Sequence, residues 1–150
     1  MAKASETLKH PMLGKLSWLP DFSHWFSQVR QPTGDRLDVI VEPGDDDRHA
    51  FIEPAARLFR WAMNHERRIL RTAIREELLE LYNSTWRQED EQKLSAKDFA
   101  DQLEWSLLTI SASDIAPVEF SYEADDLFGG HGVTVDVDKE LRFRSIQLRG

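Results

Sequence analysis

The greatest capacity for chemistry lies in a glycine-rich stretch, residues 125–132, which reads Asp-Asp-Leu-Phe-Gly-Gly-His-Gly. An imidazole such as that of His131 can serve as a general base or as a metal ligand. Asp125 or Asp126 could orient that imidazole or share its metal. The pattern therefore permits a small metal-dependent enzyme, or a ligand-binding protein, that is built on this turn.

The same stretch also has a purely structural interpretation. Glycine at positions 129, 130 and 132 indicates positive dihedral angles or a close approach of the backbone. A bulged hairpin connection would use Gly130 in this way, and Leu127 and Phe128 would then close one end of the core. It is not a phosphate loop, because no Gly-Lys-Ser/Thr ending occurs and no helix follows.

Three consecutive carboxylates, Asp45, Asp46 and Asp47, stand just ahead of the longest helical pattern. Acidic side chains at a helix N-terminus are stabilised by the helix dipole, and any of the three could cap the helix. A divalent-cation site is the alternative, but no EF-hand ligand spacing follows. We therefore interpret these aspartates as a cap or a solvated binding loop.

The rest of the sequence lacks a recognisable catalytic pattern. It contains no cysteine, and its five histidines are scattered without metal-ligand spacing. Neither a Gly-x-Ser-x-Gly nucleophile motif nor a Gly-x-Gly-x-x-Gly dinucleotide motif is present. We therefore expect no catalytic residues, no metal and no cofactor.

The formal net charge of the 150 residues is −8. Such a charge repels phosphate backbones, so we expect no nucleic-acid partner. A negative surface would attract a basic protein and speed its encounter with this chain. A need for solubility alone would also explain the negative charge. The absence of cysteine fits a reducing cytoplasm. The polar start of the chain and the lack of a long apolar run predict neither a signal peptide nor a membrane anchor.

The longest helical signal spans residues 51–86, where apolar side chains recur three and four positions apart. Asn64 and His65 fall between two apolar stripes, so both one kinked helix and two successive helices are possible, and we favour two. Near the end of this stretch, Asn83 stands beside aromatic residues. It could cap the helix or form a hydrogen bond into the sheet, and capping is the default interpretation. A short helix is expected after Ser95.

Alternating apolar and polar residues predict strands on both sides of the helical region. Residues 25–29 and 37–41 form a predicted hairpin around a Pro-Thr-Gly turn. The second half of the chain predicts a four-strand meander. We expect an α+β fold: an antiparallel sheet of about five or six strands packed against two to three helices. Residues 1–12 are expected to be a flexible N-terminus and residues 13–150 a single domain.

Three segments together resemble a bacterial family catalogued as domain of unknown function 2262. The helix end at residues 78–86, with Asn83 and Trp86, is similar to that family's pattern, as is the helix–strand join at residues 95–107. The most specific similarity is residues 120–135, an aromatic strand followed by an Asp-Leu-Phe-x-Gly-His turn and another strand.

The resemblance covers roughly residues 13–150, and Gly129 and Gly132 depart from residues more common in the family. It implies a cytoplasmic bacterial α+β domain without established catalysis, similar to small acidic immunity proteins that neutralise a toxin. We expect a non-catalytic protein-binding domain with a basic partner. Its interface would use an acidic loop, Asp45–Asp47 or Glu89–Glu91, with an exposed aromatic residue as anchor. The alternatives are the enzyme or ligand binder described above, and a structural homodimer or scaffold.

Overall fold

The computed structural model describes residues 5–150. It consists of eight strands, one long helical stretch, and a short helix between that stretch and the fifth strand. The strands are β1 Glu6–His10, β2 Gly14–Leu19, β3 His24–Arg30, β4 Arg36–Glu42, β5 Glu104–Ser111, β6 Val118–Glu123, β7 Gly132–Val137 and β8 Phe143–Arg149. The helices are α1 Ile52–Ala73, α2 Leu79–Leu81 and α3 Ala96–Asp101, with π-helical segments Ile74–Leu78 and Tyr82–Trp86 on either side of α2.

All eight strands form one sheet in sequential order, from β1 to β8. The predicted α+β class and mainly antiparallel sheet are confirmed, but the expected count of five or six strands is wrong. One pair departs from antiparallel order: β4 lies parallel to β5, with Val39 opposite Leu108. Parallel neighbours need a long crossover, which here contains the long helix and α3.

The predicted hairpin and meander are both present. Trp25 pairs with Val41 and Val29 with Leu37 across β3 and β4. Strands β5 to β8 pair consecutively and antiparallel, as the alternating pattern indicates. Local patterns succeed for these elements because each strand pairs with a close neighbour in the chain.

The first strand corrects the expectation of a flexible segment at residues 1–12. Residues Glu6–His10 pair with β2, and residues 1–4 lie outside the described residues. Side chains hold β1 to the loop after β4: Glu6 accepts from Arg48 at 2.9 Å and lies 2.7 Å from the His49 ring. Arg48 also lies over the Trp18 ring at 4.6 Å. These contacts are distant in sequence, so a local pattern could not show them.

Residues 52–86 form one continuous helix, so the preference for two successive helices is wrong. At the expected break, the His65 ring nitrogen Nδ1 donates to the Trp61 carbonyl one turn earlier at 2.7 Å, and the two rings stack. The helix continues because this polar side chain is satisfied within it. The two π-helical segments each fit one extra residue into a turn, which keeps Ile74, Leu78 and Tyr82 buried. No helix in residues 5–150 combines the length and apolar character needed to cross a bilayer.

The core lies between the long helix and one face of the sheet, and α1 packs against β5 to β8. Its largest fully buried side chains include Trp25, Phe99, Phe120 and Phe128. The connecting loops lie at the two ends of the strands. The end with residues 20–23, 42–50, 112–117 and 138–142 is called the acidic edge below. The opposite edge, with residues 31–35 and 124–131, is called the turn edge.

Candidate functional site

The turn at residues 124–131 is a compact loop on the turn edge, and its buried side chains close that end of the core. Leu127 donates its amide to the Ala124 carbonyl at 3.0 Å, and His131 donates to the Phe128 carbonyl at 3.0 Å. Asp125, Gly129 and Gly130 have positive φ values of 49°, 60° and 87°. Phe128 is fully buried, so the structure places this side chain in the core, where the structural interpretation expects it.

The imidazole of His131 contacts apolar and backbone groups. It packs edge-on to Trp86 with ring centroids 5.9 Å apart. On another side it meets Gly150, where an added Cβ would lie 2.8 Å from two ring atoms. In residues 5–150, no side-chain hydrogen bond links His131 to Asp125 or Asp126, and no group of three histidine, aspartate or glutamate side chains is placed to hold a metal. The turn therefore brings these three predicted site residues near one another without joining them.

The end of the long helix supports this turn. Asn83 does not cap the helix as expected. Its amide nitrogen donates to the Leu94 carbonyl at 3.4 Å, and its amide oxygen accepts from the Leu94 amide at 3.2 Å. This pair of bonds fastens the loop that follows the helix. Trp86 packs edge-on to Phe128 at 5.8 Å, and a Cβ at Gly129 would lie only 3.2 Å from the Trp86 ring.

The three consecutive aspartates lie on the acidic edge, at the end of β4. Asp47 accepts hydrogen bonds from the amides of His49 and Ala50, both at 2.9 Å. These backbone bonds lower the pKa of the Asp47 carboxyl. The Asp47 side chain thus caps the turn just before α1, and all three aspartates are exposed to solvent.

Two large apolar side chains are strongly exposed in residues 5–150, and both lie on this same edge. Phe22, 59% exposed, is in the turn between β2 and β3, and Ile115, 64% exposed, is in the loop between β5 and β6. Three strand intervals separate these loops, which corresponds to about 14 Å. The four loops of this edge also carry eight carboxylates: Asp21, Glu42, Asp45, Asp46, Asp47, Asp114, Asp138 and Glu140.

The sheet face that points away from the long helix carries a buried carboxylate, Asp136, paired with an exposed arginine. Asp136 is held by Arg144 at 3.2 Å and by the Ser145 hydroxyl at 2.9 Å. Nearby, burial raises the pKa of the Glu119 carboxyl, and Arg149 approaches it at 3.4 Å. These groups satisfy one another, so we assign them a structural role in the meander.

A cleft of about 910 Å³ lies between the long helix, α3 and the turn edge. On its wall, the Tyr122 hydroxyl donates to Glu66 at 2.6 Å. Burial raises the pKa of the Glu66 carboxyl, while the hydrogen bond from Tyr122 opposes that rise. Carboxyl groups with a raised pKa in a cleft are candidates for functional residues.

A second, smaller concavity of about 610 Å³ lies beside His131, lined among others by Asp101, Glu123 and Asp125.

Comparison with known proteins gives one match. The model of a family described as "Uncharacterized protein conserved in bacteria" (domain of unknown function 2262) matches residues 10–148. The chain belongs to this family. No curated protein and no solved structure matches it.

The family match includes the three segments, between Leu78 and Val135, that carry the sequence resemblance. It also includes the functional candidates that sequence reasoning missed, Phe22, Ile115 and Glu66. A polar turn around Phe22, with Pro20 and Asp21 before it, was the only local signal that its side chain would be exposed. No local sequence signal indicates a role for Glu66, because its hydrogen-bond partner Tyr122 lies 56 residues away in the chain.

Proposed function

We propose that this member of the family is a non-catalytic protein-binding domain whose interface is the acidic edge. The observation that supports this most is the shared position of Phe22 and Ile115, the two strongly exposed large apolar side chains in residues 5–150. Exposed aromatic and aliphatic side chains anchor interfaces when a partner buries them. A distance of about 14 Å between their loops fits within a standard interface.

The charge of this edge favours a basic partner. Exposed carboxylates at residues 21, 42, 45, 46 and 114 lie on the same edge as the two apolar anchors. Such an arrangement steers an oppositely charged protein to the surface and disfavours acidic competitors. An immunity protein that neutralises a basic toxin in the bacterial cytoplasm is the specific form of this proposal.

Affinity capture from a lysate of the encoding bacterium tests the proposal. The bait is the wild-type chain, compared with a Phe22→Ser, Ile115→Ser double variant. Lys139→Ser, on the same edge, is the matched control because it changes an exposed side chain that is not an apolar anchor. We expect one basic protein to be retained by the wild type and the control and to be lost with the double variant. Retention of the same proteins by all three baits, or of none, contradicts the proposed interface.

The immunity role needs its own readout. The captured protein is expressed in a laboratory host with and without the wild-type chain or the double variant. If the partner is a toxin, growth stops without the chain, and the wild type restores it better than the double variant does. A partner that leaves growth unaffected at every expression level excludes the immunity role but not protein binding.

A further inference from the structure

The cleft on the turn edge shows features of a small-molecule site that is separate from the acidic edge. Its volume of about 910 Å³ lies within the usual range for ligand pockets. Apolar side chains of Leu70, Ile74 and Leu103 line part of it, and the Glu66–Tyr122 hydrogen bond supplies a polar point of attachment. We propose that this cleft binds a small zwitterionic molecule, with an anionic group against an arginine wall and an amino group at Glu66.

The arginine wall consists of Arg67, Arg71 and Arg75, which line the cleft from one side of the long helix. Residues four positions apart lie above one another on a helix, and like charges at that spacing destabilise it. In residues 5–150, Arg67 and Arg71 form no ion pair, and Arg75 reaches only Glu76, at 3.9 Å. A bound phosphate or carboxylate would relieve this repulsion, and arginine forks suit both groups.

Carboxylates also line the cleft. Glu104 immediately precedes Trp105, which pairs with Tyr122, the hydrogen-bond donor to Glu66. Asp101 ends α3 close by in the chain, and Asp35 joins from the turn that Gln31 fastens to the Trp105 carbonyl at 2.9 Å. These carboxylates make a purely anionic ligand a poor fit. They suit an amino group, which would donate to Glu66.

Arg67 directly follows Glu66, but the rest of the arginine wall lies farther along the helix. Arg71 follows Glu66 by five residues and Arg75 by nine, which correspond to about 7.5 and 13.5 Å of helix rise. Lys97, in the first turn of α3, adds a fourth cation to the lining, and α3 packs against the π-helical segment that contains Arg75. The charge separation therefore matches a ligand the size of an amino sugar phosphate.

Isothermal titration calorimetry with four probes tests this inference. Glucosamine 6-phosphate carries both groups, glucose 6-phosphate lacks the amine, and glucosamine lacks the phosphate. 2-Amino-2-deoxyglucuronic acid has a carboxylate at C6 in place of the 6-phosphate and so distinguishes the two anion types. We expect at least one of the two zwitterions to bind, and each probe that lacks one group to bind about tenfold more weakly or not at all.

Variants locate the site. Arg71→Gln is expected to weaken binding of the zwitterion about tenfold, because it removes a charged hydrogen-bond donor. Arg60→Gln is the matched control, since Arg60 is exposed on the same helix but does not line the cleft. Glu66→Gln is expected to abolish the preference for the amine. Failure of both zwitterions to bind at millimolar concentration overturns the proposal, as does equal weakening by Arg60→Gln and Arg71→Gln.

Discussion

The Tyr122 hydroxyl donates a 2.6 Å hydrogen bond to the carboxyl of Glu66, which joins the middle of the sheet to the long helix. Tyr122 is 3% exposed, and burial raises its pKa well above the ordinary value. Strand β6 therefore presents an uncharged donor to a half-buried carboxyl at every physiological pH. This contact is both a tether in the fold and one wall of the cleft.

Removing the Tyr122 hydroxyl tests the tether. Tyr122→Phe is expected to lower the free energy of unfolding by about 1–3 kcal/mol, because the half-buried Glu66 carboxyl loses its donor. Urea denaturation measures the change. Tyr82→Phe is the matched control: Tyr82 is also buried, but its hydroxyl makes no hydrogen bond within residues 5–150. Equal losses for the two variants would show that the hydrogen bond contributes nothing specific.

The raised pKa of Glu66 predicts a pH dependence. In the unfolded chain this carboxyl titrates near its ordinary pKa, whereas in the fold it holds its proton to higher pH. The folded state therefore binds more protons between the two pKa values, and its free energy of unfolding falls as pH rises through that window. Glutamine does not titrate, so we expect Glu66→Gln to lack this decrease in the free energy of unfolding. The variant should therefore become more stable relative to the wild type as the pH rises towards neutral.

Denaturation curves of the wild type and Glu66→Gln at a series of pH values check this expectation. Burial also raises the pKa of Glu119, which acts in the same direction, so Glu119→Gln and the double variant separate the two contributions. Parallel stability profiles for the wild type and Glu66→Gln would contradict the assignment.

Asn83 is expected to hold the loop that follows the long helix. Replacing it with alanine removes both hydrogen bonds to the Leu94 backbone, and we expect a loss of about 1–2 kcal/mol in the free energy of unfolding. Ser84→Ala serves as the control, because the Ser84 hydroxyl bonds only within the helix and to its neighbour Thr85. Faster hydrogen exchange of the Leu94 amide in the Asn83 variant would localise the effect. An unchanged exchange rate would contradict it.

The His131 turn is expected to respond to mutation as a structural element. His131→Ala should cost about 1 kcal/mol, since the ring packs edge-on to Trp86. Phe128→Ala should cost about 3–5 kcal/mol, because it empties a fully buried aromatic site. The exposed Asp126→Ala is expected to stay within about 0.5 kcal/mol of the wild type. Loss of a binding activity in His131→Ala, with stability unchanged, would instead favour the ligand-binding alternative.

The elements that sequence analysis predicted correctly are those with local periodicity. Strict alternation in β6 and β7 and the Pro-Thr-Gly turn before β4 place the hairpin and the meander. The first strand was missed because Leu8 is its only strongly apolar residue, and its order depends on Arg48 and His49, more than forty residues away. Long-range packing therefore decides what the local pattern leaves open.

The candidate sites show the same difference between features with a local sequence pattern and features that depend on long-range packing. The sequence offers Asp45 to Asp47 as caps of the long helix. In the structure Asp47 accepts from the amides of His49 and Ala50 in the preceding turn, and α1 begins after Phe51 without a side-chain cap. It cannot place Phe22 and Ile115 on one edge, because their proximity depends on the parallel pairing of β4 with β5. It cannot pair Glu66 with Tyr122 either, because the contact joins a helix to a strand across the core.

Amide hydrogen exchange of the chain, with and without its captured protein partner, is the most direct test of the proposed interface. We predict new protection at residues 20–23, 42–50 and 112–117, where the acidic edge carries its apolar anchors and carboxylates. Exchange at residues 31–35 and 124–131 should stay unchanged, because these loops lie on the opposite edge. Protection confined to the turn edge, with none near Phe22 and Ile115, would contradict the account.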